Sequence, residues 1–167
     1  VSRHILDSLS ILPWIKGPRV LDVGSGAGLP GIPLAIICPA LQVTLLDSNG
    51  KKTRFMRQSV VELGLTNVTV IRCRIEHYQP ELTFDSIVSR AFAALVDLAQ
   101  GAGRICSGGG RLLAMKGTYP ATELAQLPSN YRVAGIHRLE VPGLNAERHL
   151  IHLAPNDSPR DNAWLTS

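Results

Sequence analysis

The sequence predicts an α/β fold, an open and mostly parallel sheet wound with helices on both faces and closed by a C-terminal antiparallel hairpin. Three observations carry that expectation. Short apolar runs alternate with longer segments of helical periodicity as far as Met115, a rhythm that builds parallel βαβ units. One run, Val20-Leu21-Asp22-Val23, feeds the glycine-rich turn Gly24-Ser25-Gly26-Ala27-Gly28, where a strand hands over to a helix. The last two extended runs are separated only by Pro142 to Ala146, too little for a crossover helix, so they pair antiparallel.

Arg3 to about Pro13 reads as an amphipathic helix, with Ile5, Leu6, Leu9 and Leu12 at helical spacing, and Gly17-Pro18 breaks it. Arg19 to Gly24 is the first strand. The next helix has Pro30 and Pro33 near its first turn, where a missing N–H is tolerated, and ends around Cys38-Pro39. Gln42 to Asp47 is the second strand. Ser48 or Asn49 caps a helix that runs to about Leu63 and stops at Gly64, with Phe55, Met56, Val60 and Leu63 as its buried face. Asn67 to Arg72 and Phe84 to Ser89 are the third and fourth strands. Ala93 to Cys106 is a helix, Gly108-Gly109-Gly110 the turn after it, and Arg111 to Met115 the fifth strand. Tyr131 to Val141 and Glu147 to Leu153 form the hairpin. Five parallel strands plus such a hairpin make the seven-stranded, Rossmann-like sheet of class I methyltransferases; a dinucleotide-binding domain more often ends in another parallel strand.

At 167 residues the chain is expected to form one domain, over residues 1–154, followed by a loose polar tail over 155–167. No apolar run reaches the roughly 20 residues that span a bilayer. Val1-Ser2-Arg3-His4 has neither an initiator Met nor the look of a secretory signal, so the chain reads as starting part-way into a longer protein. Three scattered cysteines, Cys38, Cys73 and Cys106, argue against a disulfide framework and for a reducing, cytoplasmic setting. None has metal-ligand spacing to another, and no metal is expected. The net charge of +4 is compatible with a polyanionic partner without being diagnostic of one.

The turn carries the chemistry. Glycine has no Cβ and tolerates positive φ, so backbone there can touch a ligand. A second apolar run ends in Asp47, about 20 residues past the turn, where an α/β fold holds an adenosine ribose. Dinucleotide sites prefer G-x-G-x-x-G and offer helix N–H groups to a pyrophosphate. Here the pattern is D-x-G-x-G-x-G, with Asp22 two residues ahead of the first glycine. A carboxylate there repels a pyrophosphate and suits a ligand with a sulfonium and an amine, which describes S-adenosylmethionine.

Six motifs in order, Arg3-His4-Ile5-Leu6-Asp7-Ser8, DVGSGAGLPGIPLAI, LLDSNGKKTRF, FDSIVSRAFA, MKG and ERHL, resemble the glucose-inhibited division protein B family over Arg3 to about Leu153. The resemblance implies a methyltransferase that uses S-adenosylmethionine to modify N7 of a guanine in bacterial small-subunit (16S) ribosomal RNA. It also implies a further, mostly helical N-terminal segment that this chain lacks. By resemblance the cofactor is held by Gly24 and Leu29, by Ile75 and Glu76 after the third strand, and by Arg90 after the fourth. Gly26 and Asp47 join them from the turn and the ribose spacing. Where the family usually has Pro, this chain has Ala27, a mild change between retained glycines.

Guanine N7 carries a free lone pair, so methylation needs alignment rather than a general base. No acid/base residue is expected; Arg90 and His4 are the positioning candidates. Competing chemistries lack their signatures. Amine methylation goes with Asn/Asp-Pro-Pro-Tyr, where this chain reads Ser89-Arg90-Ala91-Phe92, and pyrimidine C5 methylation needs a Pro-Cys nucleophile that neither Cys38 nor Cys73 supplies.

Phe92 can stack on a flipped base or be core. His4 and Asp7 share a helical face, either to orient one another or as a surface pair. Lys51, Lys52, Arg54 and Arg74 are candidate RNA contacts, with Arg57 and Arg72 beside them, although a charge run is commonly a solvated face. Lys51 and Lys52 stand in a first helical turn, where the helix dipole disfavours cations. Lys116 and Arg148 complete the set. The alternatives are a methyltransferase for another RNA or for a small molecule, a nicotinamide-dependent dehydrogenase, and a non-catalytic RNA-binding module. A monomer is expected.

Overall fold

A computed structural model describes residues 2–90 and 94–156. It contains one seven-stranded sheet: β1 (Arg19–Val23), β2 (Gln42–Asp47), β3 (Val68–Arg72), β4 (Phe84–Arg90), β5 (Cys106–Lys116), β6 (Tyr131–Arg138) and β7 (His149–Pro155). The order across the sheet is β3-β2-β1-β4-β5-β7-β6. The first five strands pair in parallel, and β7 pairs antiparallel to both β5 and β6. The helices are α1 (Ser2–Leu9), α2 (Gly31–Ile37), α3 (Gly50–Glu62), α4 (Leu95–Ala102) and the short α5 (Ala121–Ala125). The expected class I methyltransferase architecture is the one observed.

Two apolar layers sandwich the sheet. Leu21, Val23, Ile87 and Leu112 pack with Leu98 and Ala99 of α4 on one face. Val20, Val43, Leu45 and Val88 pack with Leu34 of α2 and Met56 of α3 on the other. Successive strand residues point to opposite faces, so central strands covered on both sides read as continuous apolar runs. Val20, Leu21, Leu45 and Ile87 are wholly buried, each contributing roughly 1.5–3 kcal/mol of transfer free energy.

Several sequence expectations need correction. The first helix stops at Leu9, and Leu12–Trp14 forms a separate 3-10 turn with proline in its first positions. The buried residues of α1 are Asp7 and Ser8, while Ile5 and Leu6 are exposed. On α3 the Asn49 cap holds, its side chain accepting from the Lys52 N–H at 3.0 Å, and Met56 is buried. Phe55 and Leu63, expected inside, are 55% and 54% exposed. They line an apolar groove with Ile5, Leu29 and Ile36. Gly108 to Gly110 are not a turn: β5 begins at Cys106 and runs through them, with a register irregularity opposite Phe84 and Ser86. The helix expected to reach Cys106 ends at Ala102 in a 3-10 turn. β7 continues through Pro155, and Asn156 bonds back to Asn130, two residues into the segment expected to be loose. The rest of that tail, and Phe92, lie outside the described residues.

Candidate active site

The glycine turn leaves β1 with Gly24, Gly26 and Gly28 all at positive φ, +69°, +58° and +86°. The Gly24 N–H donates to Leu46 O at 2.8 Å, tying the turn to the neighbouring strand. Asp47, at the end of β2, stitches it further. Its Oδ2 accepts from Gly26 N at 3.1 Å and its Oδ1 from Asn49 N at 2.9 Å. A Cβ on Gly28 would fall inside the Ile32 side chain.

Asp22 corrects an expectation. It does not line the open site; it is fully buried beneath the turn, where Oδ2 accepts from the Gly31 N–H at 2.8 Å. Oδ1 has no hydrogen-bond partner among the described residues. Burial raises its pKa well above the ordinary carboxylate range, partly offset by the bond from Gly31. Asp22 thus binds the first N–H of α2, and Gly31 must be glycine because a Cβ would lie 2.9 Å from Asp22 Oδ2.

A cavity of about 310 Å³ opens over this turn at the carboxyl ends of β1 and β2. Ligands collect at such ends in open α/β sheets. Val23, Leu46 and the buried Ile75 supply apolar wall, Gly24 supplies bare backbone, and Asp47 and Glu76 supply carboxylates. This set fits adenosine with a ribose diol: an apolar slot for the base, acceptors for hydroxyls, and no Cβ at the turn. Lys52 and Arg74, expected as RNA contacts, line the same cavity. Leu29 does not; its side chain faces the apolar groove.

Ile75 and Glu76 sit on a 3-10 turn, Ile75–His77. Arg104 pins that turn, with Nη2 donating to Ile75 O at 2.7 Å and Tyr78 O at 2.6 Å. The sequence reading missed Arg104. No local pattern announces a side chain that reaches back 29 residues.

The positioning candidates meet beside the cavity. Val23 pairs with Ser89, so Gly24 and Arg90 follow side by side on adjacent strands. Arg90 Nη2 lies 2.9 Å from His4 Nδ1 and 3.2 Å from Asp7 Oδ2. The other oxygen of Asp7, Oδ1, receives Arg148 Nε at 3.2 Å. His4 and Asp7 therefore do not face each other as a pair; both address Arg90. Lys116 is turned toward Glu123, 3.0 Å away. Lys51 and Arg54 are solvent-exposed on α3.

All three cysteines are free thiols, and burial pushes Cys106 up to about 11. Among the described residues no group of three His, Cys, Asp or Glu is placed to hold a metal, and no helix is long and apolar enough to cross a membrane.

The family model described as rRNA small subunit methyltransferase G matches residues 1–151. The chain belongs to that family. Proteins called ribosomal RNA small subunit methyltransferase G from Nitrosococcus oceani and Marinobacter nauticus are 54% and 56% identical to it, over 93% and 92% of the chain and 72% of each relative. Among solved structures, the glycopeptide N-methyltransferase MtfA complexed with S-adenosyl-L-methionine superposes with a TM-score of 0.77 at 10% identity, covering 93% of this chain and 88% of that one. TrmN from Thermus thermophilus gives 0.70 at 21%, covering 91% and 48%. At those identities the likeness establishes the fold. Membership of the methyltransferase G family makes S-adenosylmethionine the cofactor.

Proposed function

We propose that this chain transfers a methyl group from S-adenosylmethionine to N7 of a guanine in small-subunit ribosomal RNA. The observation that carries the reading is family membership over 151 residues joined to an adenosine-sized cavity beside which Arg90 stands on the adjacent strand. When bound, the cofactor supplies an electrophilic methyl on a sulfonium. Asp47 would hold the ribose hydroxyls, and Val23 and Ile75 the adenine faces. The N7 lone pair forms the new N–C bond as the C–S bond breaks, and no proton moves. Nothing has to act as a base. Catalysis then rests on aligning N7 with the methyl and on the electrostatics around a moving positive charge.

Arg90 and Arg148 suit the guanine O6 or an adjacent phosphate, both good guanidinium acceptors. An arginine donating to N7 itself would occupy the reacting lone pair. Leu29 and Gly26 contribute through the backbone of the turn, and Lys51, Lys52, Arg54, Arg74 and Lys116 line the approach of the RNA. The reading includes a monomer that acts in the cytoplasm.

The test is transfer of labelled methyl to naked small-subunit RNA and to assembled small subunits, followed by nucleoside mass spectrometry and mapping. N7-methylguanosine at one site is expected, with kinetics that weaken as salt rises. Label confined to another base, or transfer to small molecules at a salt-independent rate, would overturn the reading.

A further inference from the structure

The buried residues of α1 are two polar ones, Asp7 and Ser8. Ser8 is satisfied inside its own helix, its hydroxyl donating to His4 O at 2.7 Å. Asp7 alone reaches across, and it reaches two strands at once. Its Oδ2 meets Arg90 at the carboxyl end of β4, and its Oδ1 meets Arg148 just ahead of β7. The carboxylate side chain is 3% exposed, and the guanidinium-bearing side chains 21% and 27%. β5 lies between β4 and β7, so one carboxylate spans the end of an intervening strand.

If the task were only to anchor a helix, an apolar residue would do it without the desolvation cost of a buried ion pair. What a carboxylate adds is orientation and charge. Arg148 uses Nε on Asp7 and Nη1 on Glu147 O at 2.9 Å. Arg90 uses Nη2 on both Asp7 and His4, and its Nε and Nη1 take no partner among the described residues. Each arginine is thus held by one part of its fork, and another part takes no partner among the described residues.

We infer that Asp7 is a positioning residue for methyl transfer. It sets Arg90 and Arg148 on either side of the acceptor base and holds the net charge of the cluster at +1 instead of +2. This rests on the proposed reaction, in which positive charge leaves the sulfonium and appears on the methylated guanine. A cation developing beside two arginines is disfavoured by both of them. One carboxylate between them lowers that opposition when the charge arrives, while the two guanidiniums still bind RNA.

The consequence is a split that a merely structural residue does not give. Asp7→Asn keeps the shape and removes the charge. With RNA varied at saturating cofactor, kcat is expected to fall about tenfold or more while KM for RNA stays level or drops, because an anionic group has left a site that binds a polyanion. The cofactor Kd should stay within about threefold of wild type. In an Arg148→Gln background the same substitution should cost noticeably less, since one of the two side chains it positions is gone.

Wild-type kcat in the Asp7→Asn variant overturns the inference. So does a parallel loss of kcat and cofactor affinity with a lowered melting temperature and no coupling to Arg148, which marks an anchor for α1 and nothing more. Should Asp7→Asn not fold, Arg148→Gln carries the test from the other side of the contact. A fall in kcat at unchanged cofactor Kd supports the inference, and unchanged kcat overturns it. A wild-type chain that places no label on small-subunit RNA instead removes the proposed function itself, so the two failures are distinguishable.

Discussion

Replacing Asp47 with Asn separates what this residue does for the protein from what it does for the cofactor. Each carboxylate oxygen accepts one backbone N–H, Gly26 at 3.1 Å and Asn49 at 2.9 Å. An amide of the same shape has one acceptor and one donor. Whichever way it turns, its NH2 faces a backbone N–H. One hydrogen bond to a charged acceptor is lost, about 1.5–3 kcal/mol, and the ribose diol loses one of its two carboxylate oxygens, about 1.5 kcal/mol more. The first part belongs to the ligand-free protein and should lower Tm by roughly 3–12 °C for a chain of this size. That loss is common to the free and the bound protein and cancels in binding. The ribose part, about 1.5 kcal/mol, corresponds to roughly a tenfold rise in Kd. Isothermal titration with S-adenosylhomocysteine reads it directly, and differential scanning calorimetry reads the Tm. A Kd within about threefold of wild type would refute the assignment of Asp47 to the ribose.

Gly31→Ala places a methyl 2.9 Å from Asp22 Oδ2 and inside the Leu45 side chain; overpacking of about 2 kcal/mol should lower Tm by roughly 6 °C in calorimetry. Arg104→Met removes both guanidinium bonds to the Ile75–Tyr78 loop and should raise the cofactor Kd about tenfold, with RNA binding by filter retention unchanged. Asp22 titrates higher in the folded chain than unfolded, so the stability linked to its proton is complete below its ordinary value of 3.8 and is lost as pH rises through the folded value. The Tm of Asp22→Asn should therefore rise relative to wild type as pH climbs from about 4, and a pH-independent gap would contradict the burial argument. Lys51→Gln with Arg54→Gln should flatten the salt dependence of RNA binding by roughly 0.7 log units per lost phosphate contact, measured by fluorescence anisotropy across a salt series.

Where the sequence was readable, the signal was local and repeated. β2 was placed to the residue, Gln42 to Asp47, because an apolar run bounded by polar residues announces both ends. The cap at Asn49 and the prolines at the start of α2 obey the same short-range logic. Phe55 and Leu63 failed for a physical reason: helical periodicity reports that a face is apolar, not what covers it, and this face lines an open groove. Three successive glycines read as a turn, yet Gly108 to Gly110 lie within β5 as an irregularity between Cys106 and Arg111, which both pair with β4. Asp22 shows the limit for chemistry. Its spacing to the glycines is right for the cofactor family, but spacing does not say whether a carboxylate faces the ligand or the backbone below it. Arg104 to Ile75, and Asp7 to Arg90 and Arg148, are long-range contacts with no periodic trace in the sequence.

The strand order constrains how the RNA lies. The cavity that fits adenosine occupies the carboxyl ends of β1 and β2, with Ile75 and Glu76 arriving after β3. On the proposed reading the acceptor base comes from the opposite side, over β4 and β5, where Asp7 gathers Arg90 and Arg148. The exposed cations Lys51 and Arg54 stand on α3, which follows β2, and Arg148 stands at the start of β7. Between β2 and β7 the order β2-β1-β4-β5-β7 has four inter-strand steps, about 19 Å at the usual strand spacing. An RNA segment touching both ends would cross the carboxyl edge from β2 to β7, with the methyl donor beneath its β1–β2 end. Cations at the two ends then act on different phosphates. Neutralising Lys51 and Arg54 together with Arg148 should lower the salt slope by the sum of the separate effects. A shortfall from that sum would mean that the two groups share one phosphate, and that the RNA enters from one side without crossing the edge.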